Sequence, residues 1–250
     1  MTITSKAEAY HERMFPDYKS SFLETDPEFI EIFDNFAFDE VINNDDLSEH
    51  TRMICILSVL IGCQGIDEFK SMLIASYNLG VTPIEMKEIV YQSTAYLGIG
   101  RTFPFLKAIN EFCINNKIKL PLEGQSTTTR EDRLIKGNQA QIDIFGDSMI
   151  DYYKKGDPVH INYWLCDNCF GDYYTRKGLD YKQREMITFC FLYAQGGCEP
   201  QLKGHIEANI RLGNDKDFLI KILSQCLPYI GYPRTLNALR CVKEVKEEIK

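Results

Sequence analysis

Three residues in the second half of the chain have the types and spacing for proton transfer: Glu185, Cys198 and His205. A histidine titrates near neutral pH and works best when a carboxylate orients it. Glu199-Pro200 is typical of a helix start, and on that helix His205 follows Gln201 by four residues, which places both on one face. Glu185 belongs to the preceding apolar segment, one antiparallel helix away. This spacing favours acid–base chemistry by His205 with Glu185 as its orienting partner.

A thiol offers a second chemistry at the same place. Cys198 lies at the N-terminal edge of the helix, where the pKa of a thiol can fall from its usual value of about 8.5. A Cys-x-x-Cys pair, Cys166 and Cys169, lies upstream with only His160 near it, which is too few groups for zinc. The spacing also suits a disulfide at a helix start, so a redox pair is an alternative. We favour two half-buried thiols and expect no metal, although Cys169 could reach the Cys198 site.

Each candidate also has a structural interpretation. Glu185 could pair with Arg184, His205 could be an ordinary surface residue, and Cys198 could be inert. An earlier stretch of the chain has a similar sequence pattern but lacks all three residues. Because the residues are confined to one copy, this contrast favours a function for them. Local alignment places the following side chains at the matching positions: Met53, Ile66 and Met72.

That earlier stretch indicates an internal duplication. At an offset of 133 residues, Leu79-Gly80 falls on Leu212-Gly213. The string Gln-x-x-x-Tyr-x-Gly-x-x-Arg-Thr begins at Gln92 and again at Gln225. We therefore predict a first repeat over residues 1–115, a linker rich in Ser, Thr and Gly over 116–131, and a second repeat over 132–250. The two repeats should superpose as related helical domains, and only the second should carry a complete site.

The elements that position these residues should all be helices. No period-two alternation suggests a strand, and the glycines fall between helical segments. Thr82, Pro83 and Glu85 form a predicted capping box at one helix start. The expected class is all-α. The main predicted helices cover residues 47–62, 68–79, 83–97, 101–115, 130–153 and 163–175, and further helices are expected through the second repeat.

The composition limits the classes of partner and compartment. The 250 residues carry a net charge of −8, which disfavours nucleic acid and anionic membranes. No apolar run approaches the roughly 20 residues of a membrane span, and the N-terminus lacks a signal-peptide pattern. The nine cysteines are an odd number and fall mostly in apolar helical segments. We expect a cytoplasmic protein with a small-molecule substrate.

A set of motifs in the second repeat resembles a known family, and the first repeat contains partial matches to the same motifs. They are Arg184-Glu185-Met186-Ile187-Thr188, Gly196-Gly197, Gln201, His205, Gly213 and Gln225-x-x-x-Tyr229-x-Gly231-Tyr232-Pro233. Their order resembles the carboxymuconolactone decarboxylase family, which is related to the AhpD alkylhydroperoxidases. The resemblance implies a helical fold assembled as trimers or hexamers, with no organic cofactor.

The family includes two chemistries, and the residues distinguish them in part. The AhpD-like branch has Glu, then Cys-x-x-Cys, then His, but here Gln201 stands at the second cysteine position. A disulfide cycle within this motif is therefore not available. The resemblance then implies a decarboxylase-like enzyme acting on a small organic acid or lactone. The alternatives are a peroxiredoxin-type thiol protein using Cys198 and a non-catalytic scaffold.

The remaining expectations concern substrate binding and assembly. Arg184 or Arg234 could hold a substrate carboxylate, and Gln201 and Tyr229 are further candidate binding residues. Residues 186–193 are apolar nearly all round, more than one small domain can bury, which predicts a homo-oligomer. A trimer of two-domain chains would match a six-domain ring.

Overall fold

All regular secondary structure is helical in the computed structural model, which describes residues 2–246. The predicted all-α class is confirmed. The α-helices are α1 (Ser5–Met14), α2 (Phe22–Thr25), α3 (Pro27–Asn35), α4 (Glu49–Gly62), α5 (Ile66–Asn78), α6 (Pro83–Leu97), α7 (Ile99–Asn115), α8 (Arg133–Phe145), α9 (Val159–Trp164), α10 (Tyr181–Gln195), α11 (Glu199–Arg211), α12 (Lys216–Ile230) and α13 (Tyr232–Glu244). Two π-helical segments, Phe36–Glu40 and Leu165–Tyr174, extend α3 and α9.

Helix ends follow the local sequence chemistry. At α6 the predicted capping box is present: the Thr82 hydroxyl accepts from the Glu85 amide, and Glu85 Oε2 accepts from the Thr82 amide at 2.8 Å. Helix α10 ends at Gly196, whose φ of +71° lies in the left-handed region that favours glycine. The turn after Gly196 brings Cys198 to the start of α11.

The helices of the two halves occur in the same order. Helices α4 to α7 and α10 to α13 have similar lengths, and a π-helical segment precedes each set. Helices α4 and α10 pack on each other at the centre, α6 also contacts α10, and α12 contacts α4. The main hydrophobic core therefore contains side chains from both halves. This order agrees with the predicted duplication, while superposition of the halves stays a prediction.

The segment between the halves departs from the expected helix over 130–153. Helix α8 ends at Phe145 because Gly146 has a φ of +87°, and two single-turn 3-10 helices follow, Asp147–Met149 and Tyr152–Lys154. Prediction of a single helix was wrong here, since Gly146 is a stop signal inside the expected range. The expected helix over 163–175 is instead the end of α9 followed by the π-helical segment Leu165–Tyr174.

Helix α8 and this π-helical segment are in backbone contact. A Cβ on Gly137 would lie 2.1 Å from the Cys166 carbonyl oxygen, and one on Gly171 would lie 2.3 Å from the Arg133 carbonyl oxygen. Only glycine allows such an approach at both positions. The contact fixes two walls of the cavity described below, which include Phe145 and Phe170.

The apolar segment 186–193 is buried within the chain itself. Helices α4, α6 and α11 all contact α10, which contains this segment. The other half of the same chain covers it, so this segment no longer argues for a homo-oligomer, and the assembly stays a prediction. Among residues 2–246, no helix is both long and apolar enough to cross a membrane.

Candidate functional site

Helices α10 and α11 bring Glu185 and His205 together. His205 Nδ1 lies 2.7 Å from Glu185 Oε2. The Glu185 side chain is fully buried, whereas 13% of the His205 side chain is exposed. The pair therefore joins a buried carboxylate to an imidazole that solvent or a ligand can reach.

The second oxygen of Glu185 is held by a tyrosine. The Tyr174 hydroxyl donates to Glu185 Oε1 at 2.8 Å. Its own oxygen lies 2.6 Å from the Tyr96 hydroxyl and 2.9 Å from the Thr188 hydroxyl. Since Tyr174 has a single hydroxyl proton, which it donates to Glu185, the hydroxyls of Tyr96 and Thr188 donate to Tyr174. Glu185 is thus an acceptor at both oxygens, as an ionised carboxylate would be.

This arrangement sets the tautomer of His205. A carboxylate that accepts from Nδ1–H leaves the lone pair on Nε2, so that Nε2 is the basic nitrogen. No hydrogen-bond partner for His205 Nε2 occurs in the described part of the chain, and the ring lines a cavity. Nε2 is therefore the atom that can exchange a proton with a bound molecule.

Neighbouring rings and an amide restrict the imidazole further. The His205 ring packs edge-on against Tyr96 and Phe145, each with a centroid separation of 5.5 Å. Asn209 Nδ2 donates to the backbone carbonyls of Glu185 and His205 at 2.9 and 2.8 Å. These contacts fix α10 against α11 at the level of the pair.

The cavity beside His205 has a volume of about 660 Å³ and combines both halves of the chain. Ala95 and Tyr96 come from α6 of the first half, and the other lining residues come from the second. Among the described residues that line it there is no lysine, arginine, aspartate or glutamate. The volume suits a small organic molecule, and His205 is the one histidine among these lining residues.

Cys198 lies at the same cavity but is not activated. Its Sγ donates to the Leu192 carbonyl at 3.3 Å, and Gln195 Nε2 approaches at 3.5 Å. Burial raises the pKa of the Cys198 thiol, and this outweighs the Gln195 hydrogen bond that lowers it. The expected lowering at the helix start is therefore wrong, because the loss of solvent dominates.

The Cys-x-x-Cys pair is similarly unreactive. Burial raises the pKa values of Cys166 and Cys169 to about 12. Cys169 lines the His205 cavity, as the sequence allowed, and both thiols are free. Within residues 2–246, no group of three His, Cys, Asp or Glu side chains has the arrangement of a metal site.

Arg184 does not lie where it could hold a substrate carboxylate. It is fully buried, and its Nη2 donates to Glu88 Oε2 while its Nη1 donates to Gln92 Oε1, both at 2.9 Å. It does not line the His205 cavity. Holding a substrate carboxylate does not fit this position, because Arg184 already has a buried carboxylate as its partner.

The other predicted binding residues are divided between two places. Gln201 lines the His205 cavity. Tyr229 lines a separate cavity in the first half, where it packs edge-on against Phe33. Arg234 acts electrostatically on Cys63, another lining residue of that separate cavity. The structure therefore brings Glu185, Cys198, His205 and Gln201 together and leaves the other candidates outside.

Sequence reasoning missed Tyr96 and Phe145 as members of the site; it placed Tyr174 in a segment that could line a pocket but gave it no contact with Glu185. Tyr96 belongs to the repeated Gln-x-x-x-Tyr string, a signal that marked the duplication but gave no contact with His205. Tyr174 lies in the aromatic stretch before α10, and Phe145 at the end of α8. Their positions depend on the packing of three distant segments.

Comparison with known proteins identifies the region that carries the site. The sequence profile described as carboxymuconolactone decarboxylase family matches residues 162–244. A 4-carboxymuconolactone decarboxylase of Acinetobacter baylyi (strain ATCC 33305 / BD413 / ADP1) is 33% identical over 72 residues, which are 29% of this chain and 54% of the relative. The chain thus matches about half the length of this curated relative.

A solved structure is similar over nearly the whole chain. It comes from Burkholderia xenovorans LB400 and is assigned as a gamma-carboxymuconolactone decarboxylase subunit. The TM-score is 0.56 at 18% identity, and the match covers 94% of each chain. At this identity the match establishes the fold. The matched residues 162–244 contain Glu185, Cys198 and His205, and this part of the chain is similar to the carboxymuconolactone decarboxylase family.

Proposed function

We propose that this protein is a carboxy-lyase-like enzyme that removes CO2 from a small organic acid or lactone. His205 moves the proton and Glu185 orients and stabilises its ring. The observation that carries this proposal is the 2.7 Å contact between His205 Nδ1 and Glu185 Oε2 at the wall of a cavity. The family of the second half and the name of its Acinetobacter relative agree with decarboxylation.

The proposed step uses the protonated form of His205. Its imidazolium pairs with the substrate carboxylate, and the bond between that carboxyl group and the substrate carbon breaks. CO2 leaves, and the electron pair stays on the carbon, where an adjacent carbonyl delocalises it. Nε2 then delivers its proton to that carbon and is reprotonated by solvent. The buried Glu185 stabilises the imidazolium throughout.

The neutral lining of the cavity supports His205 as the group that pairs with the carboxylate. No other cation is present among the described lining residues. Amide side chains of Gln141, Gln195 and Gln201 supply hydrogen bonds for the lactone oxygens, with Gln201 retained from the sequence-based set. This arrangement suits a compact acid whose carboxylate faces His205 and whose other oxygens accept from these amides.

Release of CO2 from 4-carboxymuconolactone by the purified chain tests the proposal directly. We expect enzyme-dependent release that follows Michaelis–Menten kinetics, because the cavity supplies a saturable site. A panel of other carboxylated lactones should be converted more slowly or not at all. If none of these acids loses CO2, the non-catalytic scaffold becomes the better hypothesis.

Replacing Cys198 by serine separates acid–base from thiol chemistry. We expect kcat for decarboxylation to stay nearly unchanged, because the raised pKa keeps the thiol protonated and the proposed step does not use it. The measurement is steady-state decarboxylation by wild type and Cys198→Ser side by side. Loss of activity in Cys198→Ser would revive the peroxiredoxin-type alternative.

Replacing Tyr174 by phenylalanine tests the support of Glu185. The change leaves a fully buried carboxylate oxygen without its donor. A carboxylate that loses a hydrogen bond to its charged form has a higher pKa. We expect kcat to fall by about tenfold, in line with a hydrogen bond to a charged group, with KM little changed and the acidic limb of the pH profile moved upward.

Tyr173→Phe is the matched control for this change. Tyr173 does not line the cavity and does not belong to the hydrogen-bond network around Glu185. It should leave both kinetic constants and the pH profile unaltered. An unchanged acidic limb in Tyr174→Phe would show that Tyr174 is only a packing residue.

The proposed assembly is a homo-oligomer, with the trimer as its expected form. Exposed apolar side chains at matching sequence positions of the two halves support it. At the 133-residue offset, Ile99 and Phe103 on α7 correspond to Tyr232 and Leu236 on α13. Apolar surface repeated in this way is typical of interfaces between like domains. The cytoplasmic location likewise stays a prediction.

A further inference from the structure

A second cavity, with a volume of about 720 Å³, is lined mainly by residues of the first half. It lies where the repeat places the counterpart of the His205 cavity: Tyr229 lines it as Tyr96 lines the other, at the 133-residue offset. Aromatic rings form much of its wall, including Phe15, Phe33 and Phe38. The volume suits a small organic ligand, and the wall suits an apolar one.

Its charge differs from that of the His205 cavity. Asp34 from α3 and Glu68 from α5 line it, whereas the described residues lining it include no lysine or arginine. Asp34 is only 8% exposed, and its carboxyl group has no hydrogen bond or ion pair within residues 2–246. Burial raises its pKa to about 6, so this carboxyl is still mostly ionised at neutral pH. An uncompensated buried carboxylate of this kind favours a cationic partner.

The other titratable groups nearby do not supply that positive charge. Burial lowers the pKa of His11, which lines the cavity, so its ring is neutral at pH 7. Arg52 donates to the Tyr10 hydroxyl and lies over the Tyr10 ring, 4.8 Å from its centroid. Burial is the one cause of the raised pKa of Asp34, so neither Arg52 nor Arg234 compensates this carboxyl.

We propose that this cavity is a second binding site, specific for a small apolar organic cation such as an aryl- or alkylammonium ion. The buried carboxylate of Asp34 holds the ammonium group, and the rings of Phe33, Phe38 and Tyr229 contact the apolar body and the cation. Carboxylates and aromatic faces are the two kinds of group that attract an organic cation. The site is separate from the proposed decarboxylation, and its ligand has the opposite charge to an acid substrate.

Three probes of one shape and different charge test the proposal: 4-phenylbutylammonium, 4-phenylbutanol and 4-phenylbutyrate. Titration calorimetry on the full chain should give one site for the ammonium ion, with a Kd at least about tenfold below that of the carboxylate. The alcohol should fall between them. Tighter binding of 4-phenylbutyrate, or equal binding of all three, would overturn the proposal; the former would point to Arg52, whose buried Nε and Nη2 lack partners.

Matched variants locate the site and separate it from the decarboxylase cavity. Asp34→Asn should raise the Kd of the ammonium ion by about tenfold and leave the Kd of the alcohol unchanged. The substitution removes the negative charge of the side chain and keeps its shape. Glu28→Gln, on the same helix but exposed and outside the cavity, should change nothing. His205→Ala should also leave ammonium binding intact. Equal effects of Asp34→Asn and Glu28→Gln, or loss of binding in His205→Ala, would contradict the proposed site.

Discussion

His205→Ala is expected to lower kcat for decarboxylation by about 10²- to 10⁴-fold, the range that a positioned acid–base group contributes. The imidazole Nε2 is the proposed proton carrier, and the other described residues that line the cavity include no histidine, lysine, aspartate or glutamate. Its removal also leaves the buried Glu185 Oε2 without a partner, so the free energy of unfolding should fall as well. Single-turnover CO2 release and far-UV circular dichroism measure the two effects separately.

Met72→Ala is the control that the predicted internal repeat provides. The local sequence alignment pairs Met72 with His205, and Met72 is 1% exposed. Its truncation should lower the free energy of unfolding by about 2–5 kcal/mol, as buried methionine truncations do, while kcat for the folded protein stays unchanged. Wild-type activity in His205→Ala would rule out the proposed mechanism.

Local sequence signals predicted the helices and part of the site. The Thr82 capping box and the glycine at Gly196 act within one turn of the chain, so their effects can be derived from neighbouring residues. Glu185 and His205 lie on consecutive helices with a short turn, and antiparallel packing follows from that connection. Their convergence was predictable for this reason.

The remaining parts of the site depend on contacts that sequence spacing does not contain. Tyr96 reaches His205 from α6, 109 positions earlier in the chain. The thiol of Cys198 combines a helix start, which favours the thiolate, with burial, which opposes it, and only the structure shows that burial dominates. Arg184 looked like a substrate ligand because Glu88, its partner, lies in the other half.

Each of the two cavities is lined by a helix from the opposite half of the chain. Helix α6 of the first half contributes Tyr96 to the His205 cavity, and α12 of the second contributes Tyr229 to the aromatic cavity. Each half therefore completes the cavity of the other. Separate expression of either half should disturb both cavities, because the main core also contains side chains from both.

Glu88→Ala is expected to be the most destabilising single change in this interface between halves. Glu88 is 1% exposed and pairs with Arg184 Nη2 at 2.9 Å and with Arg176 Nη2 at 2.9 Å. Without it, the fully buried Arg184 loses its carboxylate, and breaking a buried pair from one side costs about 3–5 kcal/mol. Urea denaturation should show this decrease in the free energy of unfolding.

The exposed pair of Lys203 and Glu244 provides the comparison, and Glu244→Ala should leave the urea midpoint nearly unchanged because solvent screens that pair. Activity gives a second readout. Arg184 donates to Gln92, which donates to Thr188, whose hydroxyl contacts Tyr174 beside Glu185. Glu88→Ala should therefore lower kcat even in the fraction that stays folded. Equal urea midpoints for Glu88→Ala and Glu244→Ala would show that water replaces the lost carboxylate and that the halves are held by apolar packing alone.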